Sequence, residues 1–266
     1  MTSPNLLATI VAATRRAVSL REQRIPAKAL EQRIHRRVHG HEFTAALRNS
    51  PPPRIVAECK RRSPSKGILR VEYHPARHAR DYAEAGAAAI SVLTEPTFFD
   101  GAPEHLAQVR EAVKLPILRK DFIVGRYQLV ESAALGADAV LLIVAALDDS
   151  IMRSLIDHSR ALGLAALVEI HSREELQRAL AAGAEIVGVN CRDLRTLEVD
   201  QTVLDRLASD LPPHITAIAE SGIRTAEDLA RLSRAGYHAF LVGERLMAQP
   251  EPGLALRELR EPCARV

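Results

Sequence analysis

The sequence predicts a parallel (β/α)₈ barrel, a TIM barrel, carrying an N-terminal helical extension. Three observations predict it. From Arg54 onward, short β-rich runs alternate with amphipathic helical stretches, the signature of parallel βαβ units. Helix after helix ends in a recurring Gly-containing phrase just before the next strand. Acidic and basic side chains stand at the downstream ends of several apolar runs, where a barrel of this kind builds its active site.

The elements follow in order. Residues from about Asn5 to Arg48 read as helical, with Leu6, Ile10, Val11 and Ala13 at helical spacing, then Leu30, Ile34 and Val38. Pro26 divides this stretch into two helices, and Pro51-Pro52-Pro53 is a stiff break before the first strand. Strand runs fall at 55–60, 88–93, 116–120, 138–144, 165–169, 186–190, 215–219 and 239–243. Helical stretches between them include Pro75–Ala85, Pro103–Val113, Arg126–Leu135, Asp148–Leu162, Arg173–Ala182 and Thr225–Ala235. The repeated phrase is Gly86-Ala87, Gly136-Ala137, Gly183-Ala184 and Ala235-Gly236, with Gly where a left-handed residue ends each helix. A barrel of this type takes about 250 residues, and the chain has 266. The expectation is one domain over 1–266, with the extension at 1–50 and the barrel at 54–266. An open doubly wound sheet is the alternative, and the absence of G-x-G-x-x-G after the first strand lowers it.

Composition narrows the function class. With 47% hydrophobic residues there is material for a packed core, which excludes a disordered chain. A net charge of +3 from scattered basic residues, with only 3% aromatics, gives neither an electrostatic track nor stacking platforms for nucleic acid. The longest apolar run, Ala137 to Leu147, is broken by Asp138 and reads as a buried strand, well short of the roughly 20 residues that span a bilayer. The three cysteines, Cys59, Cys191 and Cys263, show no CxxC spacing, and the N-terminus lacks a secretory pattern, so the cytoplasm is the expected compartment. The ten histidines show no metal-ligand spacing; His35 and His39, four apart in the polar extension, read as solvated. No metal site is expected from them.

The strand ends carry the chemistry. Glu58 and Lys60 alternate with Cys59, so both point the same way, and a facing carboxylate and ammonium can divide acid and base work. A purely structural ion pair competes with this on even terms until position is counted. Lys120 follows Leu118 with one residue between and should face inward, leaving Arg119 to face the helices. At a barrel mouth such a lysine can be a general acid, a Schiff-base nucleophile or an anion clamp. Glu169 ends a run with no other polar residue, and burial is expected to raise its pKa. Asn190, Cys191 and Arg192 follow the sixth strand. Arg61-Arg62-Ser63-Pro64-Ser65-Lys66-Gly67 is a basic, hydroxyl-rich turn after strand 1, either a phosphate-closing loop or an ordinary solvated one. Glycines just past the last two strands, in Glu220-Ser221-Gly222 and Val242-Gly243-Glu244, stand where barrels frequently bind phosphate. Phe98-Phe99 is either core or the flank of a bound ring.

These phrases together resemble the indole-3-glycerol phosphate synthase family. The resemblance rests on Ile55-Val-Ala-Glu-Cys-Lys60, Ser63-Pro-Ser-Lys-Gly67, Ser91-Val-Leu-Thr-Glu95, Phe98-Phe-Asp-Gly101 and Pro116-Ile-Leu-Arg-Lys-Asp-Phe122. It continues through Leu167-Val-Glu-Ile-His171, Gly188-Val-Asn-Cys-Arg-Asp-Leu194, Ala219-Glu-Ser-Gly-Ile223 and Leu241-Val-Gly-Glu244, in order along the whole barrel. It implies cyclisation of 1-(2-carboxyphenylamino)-1-deoxyribulose 5-phosphate to indole-3-glycerol phosphate, with loss of CO₂ and water and no cofactor. By the same resemblance Lys120 is the acid at the substrate carbonyl, Lys60 holds the departing carboxylate, and Glu169 handles protons in dehydration. Glu58 orients Lys60, while Asn190, Arg192 and Ser221 position substrate groups. Ser63, Gly222, Gly243 and the backbone of Glu244 hold phosphate, and Phe99 and Phe122 enclose the aromatic ring. The chain departs from the family pattern at Arg245 and Ala102, where small and hydroxyl residues are usual, and at Cys191. A monomer is expected, with weak self-association left open. Rival readings are another phosphate-binding barrel enzyme, such as an isomerase or Schiff-base aldolase, and a non-catalytic relative that keeps the pocket.

Overall fold

The computed structural model describes residues 6–34 and 38–261; His35 and Cys263 lie outside that range. Eight parallel strands close into a barrel: β1 (Ile55–Cys59), β2 (Ala89–Leu93), β3 (Ile117–Lys120), β4 (Ala139–Ile143), β5 (Ala165–Ile170), β6 (Ile186–Asn190), β7 (Thr216–Glu220) and β8 (Ala239–Val242). Each strand pairs with its neighbour in sequence, and β8 closes on β1 with Val56 opposite Leu241. The predicted strands and fold class are therefore confirmed, with boundaries moved by no more than one residue. The run read as strand to 144 stops at Ile143, and Val144–Ala146 coils into a 3₁₀ turn.

Alternation along the strands sorts the side chains into two apolar layers. Ile55, Ala57, Val92, Ile117, Val140, Val168, Val187 and Phe240 face outward and pack under the helices. Val56, Ala89, Leu118, Leu141, Leu167, Ile186, Ile218 and Leu241 fill the barrel. The inward parity continues toward the C-terminal ends as Glu58, Ser91, Lys120, Glu169, Asn190 and Glu220, all but Lys120 buried below a tenth of their surface. The apolar layers thus hold a charged layer at one rim.

Helices α1 (Leu6–Arg24), α2 (Ala27–Glu31) and α3 (Gly40–Asn49) form the extension. The barrel helices are α4 (Pro75–Glu84), the single turn α5 (Pro96–Phe99), α6 (Pro103–Ala112), α7 (Arg126–Ala134), α8 (Asp149–Ala161), α9 (Arg173–Ala181), α10 (Thr202–Ala208), α11 (Ala226–Arg234), α12 (Glu244–Met247) and α13 (Pro252–Arg260). Gly86, Gly136, Gly183 and Gly236 all take positive φ, as the repeated phrase requires. Gly163, after α8, does the same and extends the pattern to a fifth helix.

The extension splits its work between the two barrel ends. Phe43 and Leu47 of α3 are fully buried against the interior layer, and the Arg48 guanidinium donates to Thr216 Oγ1 at 2.7 Å at the start of β7, so α3 plugs the N-terminal end. Helix α1 instead lies against α5 and α7 near the mouth, with Leu7 and Ile10 buried in the cluster that holds Phe122. Behind β3, Arg119 faces the helices as expected and is fully buried there. Its Nη2 lies 2.8 Å from both Asp121 Oδ2 and Glu131 Oε2, and Glu131 also receives Arg21 of α1 at 2.8 Å. A charge chain thereby ties the extension to the strand that presents Lys120. Among the described residues no helix is long and apolar enough to cross a membrane.

Candidate active site

The charged rim opens into a cavity of about 700 Å³ at the C-terminal ends of the strands. Every residue to which the family resemblance gives a role lines it: Glu58, Lys60, Lys120, Glu169, Asn190 and Arg192 around the floor and wall, Phe99 and Phe122 at one side, and Ser63, Ser221, Gly222, Gly243 and Glu244 at the other.

At the floor, Lys60 Nζ and Glu58 Oε1 are 2.6 Å apart, confirming that the two share a face. Gly243 lies against Glu58, where an added Cβ would come within 2.9 Å of the glutamate's own Cβ, so glycine is what the strand-8 turn admits beside this pair. Lys120 Nζ sits 3.1 Å from Glu169 Oε2 and 3.6 Å from Glu220 Oε2. Burial works against the Lys120 charge, but Glu169, Glu220 and Glu58 outweigh it and lift its pKa above the usual lysine range. The ammonium is therefore retained in a largely closed site.

The expected upward shift of Glu169 is overturned. Burial alone raises the carboxyl, but the Lys120 ammonium and His171, whose Nε2 is 3.4 Å from Oε1, hold it well below the ordinary carboxylate range. The carboxyl that burial does push up is Glu220. Lys120 opposes this, but the like charge of Glu169 adds to it, and the Glu220 pKa reaches about 8. Two carboxylates share one ammonium, and the site keeps one ionised and one protonated near neutrality. The sequence reading passed over Glu220 because it looked to the adjacent Ser221-Gly222. The signal was present all the same, since Glu220 closes Thr216-Ala217-Ile218-Ala219 as Glu169 closes its own strand.

The opposite wall is built from turns. Ser221 and Gly222 are consecutive residues with positive φ, 67° and 69°, which swing the backbone sharply away from β7. Gly243 then leads into the short α12, so the loops after β7 and β8 converge as the glycines indicated. Arg192 Nη2 pairs with Glu244 Oε2 at 3.2 Å and its Nη1 donates to Ser65 Oγ at 3.2 Å, joining the strand-6 loop, the strand-8 loop and the hairpin at Arg62–Ser63 and Gly67–Ile68. Arg245 also lines the cavity; its Nη1 is buried without a hydrogen-bond partner. Cys191 is buried beneath this wall, and burial raises its thiol to about 11, which leaves no activated nucleophile there.

The aromatic side is held by Glu95, buried at the N-cap of α5, whose carboxylate accepts the backbone N–H groups of Thr97, Phe98 and Phe99. This fixes Phe99 with its ring centroid 6.2 Å from that of Phe122, tilted by 36°. Among the described residues one group of metal-capable side chains gathers, His39, His41 and Glu42 at the start of α3, and none of the three lines the cavity.

Comparison with known proteins places this arrangement. The chain matches the family model for indole-3-glycerol phosphate synthase over residues 7–259. It is 45% identical over 258 residues to the indole-3-glycerol phosphate synthase of Albidiferax ferrireducens, covering 96% of this chain and 98% of that one. With the enzyme of the same name from Mycolicibacterium smegmatis it shares 46% over 259 residues, 97% of this chain and 95% of that one. Among solved structures, thiamine phosphate pyrophosphorylase from Pyrococcus furiosus superposes with a TM-score of 0.60 at 19% identity over 78% of this chain and 94% of that one, a likeness of fold alone. Match length and identity together leave one conclusion: the chain belongs to the indole-3-glycerol phosphate synthase family.

Proposed function

We propose that this chain closes the indole ring of 1-(2-carboxyphenylamino)-1-deoxyribulose 5-phosphate, releasing CO₂ and water to give indole-3-glycerol phosphate. The observation that carries the proposal is the Lys120 ammonium, held at the floor of the cavity between Glu169 and Glu220, with an aromatic pair on one side and two glycine turns on the other. The anthranilate ring lies between Phe99 and Phe122, and the phosphate lies on Ser63, Gly222, Gly243 and the backbone of Glu244. Those anchors bring the substrate carbonyl to Lys120 and the aromatic carboxylate to Lys60, which Glu58 orients.

Attack of the aromatic carbon on the carbonyl carbon builds charge on the carbonyl oxygen, and Lys120 supplies the proton there. Expulsion of CO₂ from the same ring carbon restores aromaticity. Dehydration then expels the hydroxyl so formed as water, pushed out by the anilino nitrogen, and Glu169, facing that positive nitrogen, takes the proton from the adjacent methylene carbon, so the indole keeps its N–H. Glu220, protonated near neutrality, is a neutral donor beside the same centre. Asn190, Arg192 and Ser221 hold the sugar hydroxyls and the carboxylate. A barrel mouth covered by the basic hairpin keeps water from competing. We also propose that extension and barrel form one domain, joined by Arg21, Glu131 and Arg119.

Incubating the protein with the substrate and following indole-ring absorbance and fluorescence tests this reading. The wild type is expected to form product, and Lys120→Met to lose about 10²-fold or more, the scale of a general acid. Turnover of the variant at the wild-type rate would remove Lys120 from the acid role. Borohydride added with substrate is expected to trap no adduct, because Lys120 acts as an acid and not as a Schiff-base amine.

A further inference from the structure

The Glu169 carboxylate meets a cation on each side. Oε2 faces the Lys120 ammonium in the cavity, at 3.1 Å, while Oε1 faces His171 Nε2 at 3.4 Å. His171 does not line the cavity. Its second ring nitrogen, Nδ1, lies 3.1 Å from Glu175 Oε2, and its backbone N–H donates to that same oxygen at 2.7 Å. Glu175 sits in the first turn of α9, whose start is fixed by the Ser172 side chain accepting the Glu175 N–H. The imidazole is thus clamped between two carboxylates from two elements.

That clamp dictates its charge. A neutral imidazole carries one N–H and one lone pair, so either tautomer would aim a lone pair at a carboxylate. Only the imidazolium presents an N–H to both, as a hydrogen bond to Glu175 and as an ion pair at 3.4 Å to Glu169. Burial opposes the charge, but Glu169 and Glu175 outweigh burial and raise the His171 pKa to about 10. The other charges facing the group are Lys120 and Glu220 beyond Glu169, and Arg195, from the loop after β6, which interacts with Glu175.

Lys120 alone cannot keep Glu169 ionised through a catalytic cycle, because the ammonium gives up its proton to the substrate carbonyl. We infer that His171, held as an imidazolium by Glu175, is a positioning residue for Glu169, fixing its orientation and preserving its charge when Lys120 discharges. This rests on the roles proposed above for Lys120 and Glu169. The substrate never touches His171, so its influence falls on the chemical step and leaves binding nearly intact.

The test is the pH dependence of kcat and KM for the wild type, His171→Gln and Glu175→Gln, with circular dichroism to confirm folding. His171→Gln is expected to lower kcat about tenfold or more with little change in KM, the scale on which outer partners of catalytic groups act. The acid limb of its kcat profile should move up by about one unit or more, because Glu169 has lost one of its two cations. Glu175→Gln leaves the contact with Glu169 and removes the second carboxylate, so the alkaline limb should move toward neutrality. A nitrogen NMR spectrum of ¹⁵N-histidine-labelled wild type at about pH 8 should show both ring nitrogens of His171 protonated. Folded variants with wild-type kcat profiles, or a neutral His171 in that spectrum, would overturn the inference. A wild type that forms no indole ring would instead strike the proposed function, and the spectrum would still decide the charge of His171.

Discussion

At the scale of single residues, the site is ruled by which carboxylate keeps its proton. Glu169 and Glu220 are chemically identical, equally buried and reached by the same ammonium, yet their pKa values are driven in opposite directions. The difference lies in their second neighbours, since Glu169 has His171 behind it, while among the described residues Glu220 pairs with Lys120 alone. This carries a consequence for stability. Glu220 binds its proton more tightly folded, at about 8, than in the unfolded chain, where the ordinary value is 4.5. Its contribution is therefore fully present below about pH 4.5 and is lost as pH rises through 8. Glu220→Gln is expected to flatten this part of the stability profile and to leave the variant more resistant to denaturant than the wild type at alkaline pH. Urea unfolding at neutral and alkaline pH checks it; equal pH slopes for both proteins would refute the raised pKa.

At the scale of elements, the repeated unit is a helix, a left-handed turn and a strand. The turn glycines are needed for backbone conformation more than for space. Gly183 has φ +88° and nothing within 4 Å of an added Cβ, which isolates the conformational cost from any clash. Gly183→Ala is expected to destabilise the protein by about 1–2 kcal/mol, the penalty of a left-handed alanine, with activity unchanged. Chemical denaturation of the two proteins measures it, and an unchanged midpoint would mean the turn relaxes. Strand alternation did the rest of the predictive work. With Leu118 facing inward, Lys120 two residues on has to follow. Helix α10 and the terminal α13 were not predicted. The first is short and framed by a turn-rich loop, and the second begins at Pro252 just after Pro250, which obscures its periodicity.

At the scale of the whole molecule, the extension is not one cap but two. A lid made of the whole extension does not suit this architecture, because α3 buries Phe43 and Leu47 in the opposite end of the barrel. Only α1 approaches the mouth, through Leu7, Ile10 and its packing on α5, which carries Phe99. Deleting α1 alone, with α2 and α3 kept, is expected to raise KM several-fold by loosening the aromatic side, with a smaller effect on kcat. Steady-state kinetics on the folded truncate decides this, and an unchanged KM would show that α1 serves stability only.

The sequence by itself determined the barrel, its strand order and many of the residues that line the cavity, though not Glu220. These follow from period-two alternation, helix-length spacing and glycine placement, which are local properties that a linear reading can see. The indole-3-glycerol phosphate synthase resemblance was legible for the same reason, since its phrases are strand ends and the turns after them. Only the tertiary structure decided the protonation pattern. Whether Glu169 is raised or lowered depends on Lys120 from β3 and His171 at its back, and on Glu220 arriving from β7. Distances of a few ångströms between residues far apart in the chain set those balances, because Coulomb energies in a buried site change steeply over that range. The division of α1 and α3 between opposite ends of the barrel was hidden likewise, for nothing local in either helix says which end of the barrel its buried residues meet.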